Sequence, residues 1–293
     1  MNKKTTNLFI LVDGSFYLFR AYYALPPLIT TKRQTTGAIY GVVNMLRKLI
    51  MEYQPEYIAV VFDPKGRTFR HNLYNDYKKN RKAMPSELSQ QIQPLFEIIK
   101  ALGFPLIIKD GYEADDVIAT LAKKAIEEGL TVLISTGDKD LAQIVNNHIT
   151  LINTMTGCLL NPRTVVEKFG VPPEKFVDYL NLTGDSVDNI PHIPKIGPRT
   201  AAKWLNRYGS LENIQKQADE ITGKAGENFR AYSHRLPLIR KLVTVISDLP
   251  LENNPVDLKL RSKDNERLIK LFTKYEFRSW MEEIISEITE RHL

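Results

Sequence analysis

Carboxylates gather where short apolar runs end. Asp13 closes Leu8-Phe9-Ile10-Leu11-Val12, and Asp63 closes Val60-Val61-Phe62. A third run, Phe104–Ile108, leads to Glu113-Ala114-Asp115-Asp116, and a fourth, Thr131–Ile134, runs into Thr136-Gly137-Asp138-Lys139-Asp140. Asp185 and Asp188, in Gly184-Asp185-Ser186-Val187-Asp188-Asn189, stand three apart and would share a face of a helical turn. One reading of this set is solvated capping. A helix N-terminus stabilises a nearby carboxylate by about 0.3–1 kcal/mol, which accounts for one or two of Glu113, Asp115 and Asp116. Two carboxylates about 4 Å apart, however, repel by about 1 kcal/mol in water and about 4 kcal/mol at a partly buried edge. The other reading is therefore a cation site. Hard divalent ions fit an all-oxygen set: Mg²⁺, with Mn²⁺ as a substitute, and two ions rather than one given the number of acids. The five histidines are scattered and the single cysteine is Cys158, so no zinc-type ligand set exists.

Such residues need a scaffold that brings strand ends together. The first half alternates apolar runs of strand length (Leu8–Val12, Tyr57–Phe62, Phe104–Ile108, Thr131–Ile134, Ile149–Ile152) with helical spacings at Ala38–Tyr53, Leu88–Leu102, Ala114–Glu128 and Lys139–Val145. The runs do not alternate with polar residues, which suits strands covered on both faces. The fold class predicted is α/β, a largely parallel central sheet with helices on both faces, and its carboxyl edge is where ligands bind in such folds. Past Gly170-Val171-Pro172-Pro173 only helical segments appear: Glu174–Leu182, Thr200–Tyr208, Leu211–Gln217, Leu238–Val245 and a tail at Glu266–Ile288. Two domains are expected, 1–170 and 171–293.

The chain has 293 residues, 40 Lys+Arg against 34 Asp+Glu, a formal charge of +6 and 43% hydrophobic residues. Seven basic residues and one acid lie between Lys65 and Lys82, so this stretch holds a surplus equal to that of the whole chain. Within it Arg70, Tyr74, Tyr77, Lys78 and Arg81 recur at spacings of three and four, which on a continuous helix would present cations and rings together. Cations neutralise phosphates and rings stack on unpaired bases; a solvated amphipathic helix is the plainer alternative. In Phe16-Tyr17-Leu18-Phe19-Arg20-Ala21-Tyr22-Tyr23 the rings suit a core, while Arg20 does not. Ile196-Gly197-Pro198-Arg199-Thr200-Ala201-Ala202 is a Gly-Pro helix start whose free N–H groups, with Arg199 and Lys203, could hold phosphate. No Walker A loop, nucleophile elbow or dinucleotide fingerprint is present, which disfavours nucleotide-driven motors and triad hydrolases. Met1–Asp13 has a basic pair and too few apolar residues for a secretory or membrane segment, and one cysteine suits a reducing cytosol.

From Leu8 to Trp280 the chain resembles the bacterial 5′-3′ exonuclease module of DNA polymerase I, which is related to flap endonucleases. The resemblance rests on Val12-Asp13-Gly14-Ser15, Val61-Phe62-Asp63, Glu113-Ala114-Asp115-Asp116, Ser135-Thr136-Gly137-Asp138-Lys139-Asp140 and Gly184-Asp185-Ser186-Val187-Asp188-Asn189-Ile190-Pro191. It implies a first divalent ion held by Asp13, Asp63, Glu113 and Asp115, and a second held by Asp138, Asp140, Asp185 and Asp188, with Asp116 nearby. It implies that residues of about 65–85 form a helical arch over the site, with Tyr77 stacking on substrate and Lys78, Arg81, Arg70 and Arg20 engaging phosphates. The 171–262 region would grip duplex DNA through a helix–hairpin–helix element, with Lys195, Gly197, Arg199, Thr200 and Lys203 as contacts and a potassium ion on hairpin carbonyls. His192 and Lys195 stand where the family usually has glycine, which puts the potassium site in question if those positions need a left-handed backbone. The implied activity is hydrolysis of DNA at 5′ ends, nicks or flaps, in primer removal and repair. No polymerase domain follows Leu293, so a separate DNA polymerase and a ligase are the expected partners. A monomer in the bacterial cytoplasm, near the nucleoid and away from membranes, is expected. An RNA-cleaving nuclease of similar acidic α/β architecture and a non-catalytic DNA-structure-binding protein are the alternatives.

Overall fold

The computed structural model describes residues 7–290. Met1–Thr6, which carry the basic pair of the chain start, and residues 291–293 lie outside the described residues. Six strands form one sheet: β1 (Leu8–Asp13), β2 (Tyr57–Phe62), β3 (Leu106–Ile108), β4 (Thr131–Ser135), β5 (Ile149–Asn153) and β6 (Cys158–Leu160), in the order β3-β2-β1-β4-β5-β6. All neighbours are parallel except β5 and β6. Every residue of β1 is buried, the two-sided covering that its unbroken apolar run requires. Register then sets the level of the acids. Asp13 lies opposite Val61 and Val12 opposite Ser135, so β1, β2 and β4 end side by side.

The helices are α1 (Gly14–Ala24), α2 (Gly37–Tyr53), α3 (Phe69–Leu73), α4 (Ser86–Ala101), α5 (Ala114–Glu127), α6 (Pro162–Phe169), α7 (Phe176–Thr183), α8 (Pro198–Tyr208), α9 (Leu211–Lys216), α10 (Gly223–Tyr232), α11 (Leu236–Val243), α12 (Asn265–Lys274) and α13 (Arg278–Glu290). One sheet face packs α1, α2 and α4 together with α12 and α13, through Leu46, Leu95, Phe272 and Trp280. Tyr40 of α2 stacks on Trp280 at 5.0 Å between ring centres. The other face packs α5 and continues into the helices after residue 171 through Phe176, Leu205 and Leu242, one uninterrupted apolar cluster. The sequence pattern did not anticipate α1, α6, α10 or the short antiparallel β6, and 139–145 is a 3₁₀ turn at Asp140–Ile144 rather than an α-helix. No described helix is long and apolar enough to cross a membrane.

Two glycines let α1 and the turn after β4 close on the sheet edge. A Cβ at Gly14 would lie 2.4 Å from the Phe62 ring, and one at Gly137 would lie 2.3 Å from the Phe16 ring. The Phe62 ring, buried between the sheet and its helices, has no room to withdraw.

Candidate active site

At the carboxyl edge of the sheet lies a cleft of about 630 Å³, lined by Asp13, Asp63, Glu113, Asp115, Asp138, Asp140, Asp185 and Asp188. Each acid is oriented by its own local structure. Asp13 caps α1, accepting from the Phe16 N–H at 2.8 Å, and its other oxygen accepts from the Thr136 hydroxyl at 2.8 Å. Asp63 accepts from the Ala114 N–H at 2.8 Å while its own N–H donates to Ser15 Oγ at 2.9 Å. Asp138 accepts from the Asp140 N–H at 2.8 Å. Asp185 and Asp188 do not share a helical turn. They sit in a tight loop closed by paired hydrogen bonds between Asp185 and Ile190, with Asp185 Oδ1 accepting from the Val187 N–H at 2.7 Å.

Thr136 and Ser15 thus orient the acids without having been singled out by the sequence pattern. Their signal was present, since each stands two residues from an acid beside a strand end, Ser15 from Asp13 and Thr136 from Asp138. The cleft is completed by Lys78, Arg81, Lys139 and Lys168 and by Phe16, Phe19 and Val187.

Crowded carboxylates pay in protonation. Burial, then the charges of Asp63 and Asp138, push the Asp13 carboxyl up to about 7. Burial and the charges of Asp138 and Asp185 push Asp140 up to about 7 as well. Asp115, at the first turn of α5, is raised well above the usual carboxylate range by burial and then by Asp138, Asp13, Asp63 and Glu113. Asp188 goes the other way: burial would raise it, but Lys78 and Arg81 together hold it below its usual value.

A raised carboxyl contributes stability that is complete below its unfolded value and lost as pH rises through the folded one. In EDTA, Tm should therefore climb by about 5 °C as pH is lowered from 8 to 5.5. His71, held below its usual value by burial first, opposes this. A flat or inverted Tm profile over that window would show that the acids are not crowded as described.

The roles expected of Asp116, Arg70 and Tyr77 do not survive the geometry. Asp116 does not line the cleft. It is fully buried, its two oxygens accept from the Arg70 guanidinium at 2.7 and 2.8 Å, and they also take the Glu113 N–H at 3.1 Å and the Ile246 N–H at 2.9 Å. With both oxygens occupied it is a structural acid, not a metal ligand. Arg70 is 3% exposed and engages no open surface, so it cannot reach a phosphate. Tyr77 is also 3% exposed, and its hydroxyl lies 2.9 Å from both the Glu113 and the Asp188 carboxylate, donating its one proton to either; its ring has no free face for a base. Arg20 is exposed on α1 and is not among the residues of the cleft.

The continuous basic helix also fails, because α3 stops at Leu73 and the chain turns, with Lys78 at φ +55°. The turn is pinned to the 185–190 loop by Lys78 N–H to Asp188 O at 2.9 Å and Asn80 Nδ2 to Ser186 O at 2.8 Å. Lys78 itself faces the acids, 2.7 Å from Glu113 and 3.6 Å from Asp188, and Arg81 pairs with Asp188.

In the hairpin, Gly197 has an ordinary extended backbone (φ −98°) and precedes Pro198 of α8. Lys195 takes the left-handed conformation at φ +69°, where glycine would be unstrained, whereas His192 is not among the left-handed residues. Lys195, Gly197, Arg199 and Lys203 are exposed and Thr200 partly so.

The donor set suits a hard divalent cation. All donors are carboxylate oxygens, burial and then mutual repulsion raise several of them above the usual carboxylate range, and the cleft is open to solvent. Among the described residues no three acidic, His or Cys side chains already converge as a finished coordination shell.

Residues 8–170 match the family model for the 5′-3′ exonuclease N-terminal resolvase-like domain, and residues 171–266 match that for the 5′-3′ exonuclease C-terminal SAM fold. The chain belongs to the 5′-3′ exonuclease family. Among curated relatives of this exonuclease chain, the 5′-3′ exonuclease of Aquifex aeolicus is 43% identical over 274 residues, covering 94% of each chain. The DNA polymerase I of Pseudomonas aeruginosa is 44% identical over 289 residues, covering 96% of this chain and 32% of that protein, so the chain spans about a third of such relatives. Among solved structures, a T5 5′-exonuclease with bound zinc has a TM-score of 0.70 at 19% identity, covering 95% of this chain and 98% of that one, a likeness of fold.

Proposed function

We propose that this chain is a divalent-metal-dependent 5′ nuclease that hydrolyses phosphodiester bonds in double-stranded DNA at 5′ ends, nicks or flaps. One observation carries the reading: eight carboxylates from five separate segments face one cleft whose mouth is lined by lysine and arginine. Asp13, Asp63, Glu113 and Asp115 would hold one ion, and Asp138, Asp140, Asp185 and Asp188 another. Bound divalent ions supply acidification of water and neutralisation of charge on the phosphate.

The chain's own residues do the remaining work. Thr136 and the Phe16 N–H fix the rotamer of Asp13, and the Ala114 N–H fixes that of Asp63, so the acids are aimed before any ligand arrives. Lys78 and Arg81 stand at the mouth with charge available to phosphate once their carboxylate partners are otherwise neutralised. Phe16, Phe19 and Val187 give the cleft apolar wall against which a base can rest. Lys195, Gly197, Arg199, Thr200 and Lys203 are assigned to the duplex backbone, on the strength of their exposure and charge at the start of α8. The products, bearing 5′-phosphates, would pass to a DNA polymerase and a ligase.

The test is cleavage of a 5′-labelled flap duplex in Mg²⁺, with EDTA and an RNA duplex of the same sequence alongside. Short labelled products from DNA that vanish in EDTA are expected. Preferential RNA cleavage, or tight DNA binding with no cleavage in Mg²⁺, would replace this function with one of its rivals.

A further inference from the structure

The acids of the cleft differ in the cations beside them, and Glu113 already has Lys78 at 2.7 Å and Arg70 at 3.5 Å. Among the described residues, no cation lies within ion-pair distance of Asp13, Asp63, Asp115 or Asp138. Asp140 and Asp185 instead share one: Lys139 Nζ lies 3.0 Å from Asp140 Oδ1 and 2.5 Å from Asp185 Oδ2. A single ammonium between two carboxylates from distant segments occupies the position that charge balance would otherwise leave to a metal ion. Asp188, on the same side, is neutralised by Lys78 and Arg81, which leaves Asp138 as the one acid of that set without a cation at ion-pair distance.

We propose that Lys139 is a positioning residue that competes with the second divalent ion, its ammonium bridging Asp140 and Asp185 until that ion displaces it. This rests on the two-ion reading above.

The side chain is suited to such an exchange. Lysine is a compact charge on a flexible four-carbon stem, and here it is 43% exposed, not locked into a core. Lys139 also lines a second cavity of about 180 Å³, shared with Thr136, Asn153, Thr156 and Lys168, which gives the ammonium a polar place to retreat to. Its backbone does not have to move, since the turn is held by the Asp140 N–H to Asp138 bond and by Asp138 N–H to Thr136 Oγ1 at 3.0 Å. The consequence is unequal occupancy. On the side of Asp13, Asp63, Glu113 and Asp115 only Glu113 has cations beside it, Lys78 at 2.7 Å and Arg70 at 3.5 Å, while on the other side an ion must first expel the ammonium that bridges Asp140 and Asp185.

The test is a titration of the full chain with Mn²⁺ alone, without DNA, followed by electron paramagnetic resonance of the free ion. Wild type is expected to show a tighter and a weaker class. Lys139→Met keeps the stem and removes the charge; the weaker class should tighten by about tenfold and the tighter one should stay within about twofold. Lys139→Arg should restore the wild-type pattern, and Lys139→Gln provides a second neutral variant should the methionine disturb folding. Half-maximal Mg²⁺ for cleavage should fall in parallel in the neutral variants.

An unchanged or weakened second class in both neutral variants would overturn the proposal. So would a loss of DNA affinity in Ca²⁺ with Mn²⁺ binding unaltered, which would make Lys139 a phosphate contact. Wild type that binds no Mn²⁺ would instead remove the two-ion reading and this proposal with it, an outcome separable from the others because it appears before any substitution is made.

Discussion

Asp115→Asn is expected to slow flap cleavage in Mg²⁺ by about a thousandfold while leaving DNA affinity in Ca²⁺ within about threefold. Asp115 is raised well above the usual carboxylate range by burial first and then by Asp138, Asp13, Asp63 and Glu113. An amide there keeps the shape of the side chain and one oxygen donor but removes the negative charge that a cation would answer. The same change should raise Tm in EDTA at pH 8, because it relieves repulsion in the metal-free cleft. Activity and stability thus move in opposite directions, as expected of a residue retained for chemistry at a cost in stability. Cleavage near the wild-type rate in Mg²⁺ would refute the metal role of Asp115. A fall in Tm would show that its carboxylate is held by contacts and is not strained by charge.

What could be read from the residues alone follows from which interactions are local. Asp13 and Asp63 were legible because each ends an apolar run, and parallel pairing with Asp13 opposite Val61 leaves little freedom in where such acids lie. Asp115 and Asp116 were not separable by spacing in a list of acids. Consecutive helical residues point about 100° apart, so one faces the cleft and the other the protein interior. Lys78 was found, although for an incomplete reason. The three-and-four spacing from Arg70 to Arg81 assumes one helix, and α3 is only five residues long. Once the helix ends, Tyr77 turns inward to set its hydroxyl between Glu113 and Asp188, and long-range partners of this kind leave no periodic trace. The aromatic run at Phe16–Tyr23 was correctly suited to a core at Tyr17, which is fully buried, yet it also brings Phe16 and Phe19 to the cleft because a helix has two faces.

Arg70→Ala should lower Tm by roughly 5–10 °C, the consequence of about 3–5 kcal/mol lost when one partner of a buried ion pair is removed. Arg70 joins three parts of the fold that are far apart in sequence. From α3 it donates twice to Asp116 of α5, approaches Glu113 at 3.5 Å, and donates to the carbonyls of Leu242 and Thr244 at 2.8 and 3.0 Å. Truncation would leave a fully buried carboxylate without its countercharge and two carbonyls without donors, in a space too tight to admit much water. Lysine should recover only part of the loss, since a point charge cannot make the paired contact to Asp116 and still reach both carbonyls. The pair can be separated from simple packing by a double-mutant cycle with Arg70→Met and Asp116→Asn. Removing both charges should cost less than removing Arg70 alone, with a coupling of about 1–3 kcal/mol. Because Asp116 also accepts the Glu113 N–H, the loss should reach the cleft: cleavage by Arg70→Met should fall more at low Mg²⁺ than at saturation, as Glu113 loses its orientation. A Tm change under 2 °C, or no coupling between the two substitutions, would mean that this node does not tie the basic segment to the helical half. The alignment of Lys78 over the acids would then have to come from the 185–190 loop alone.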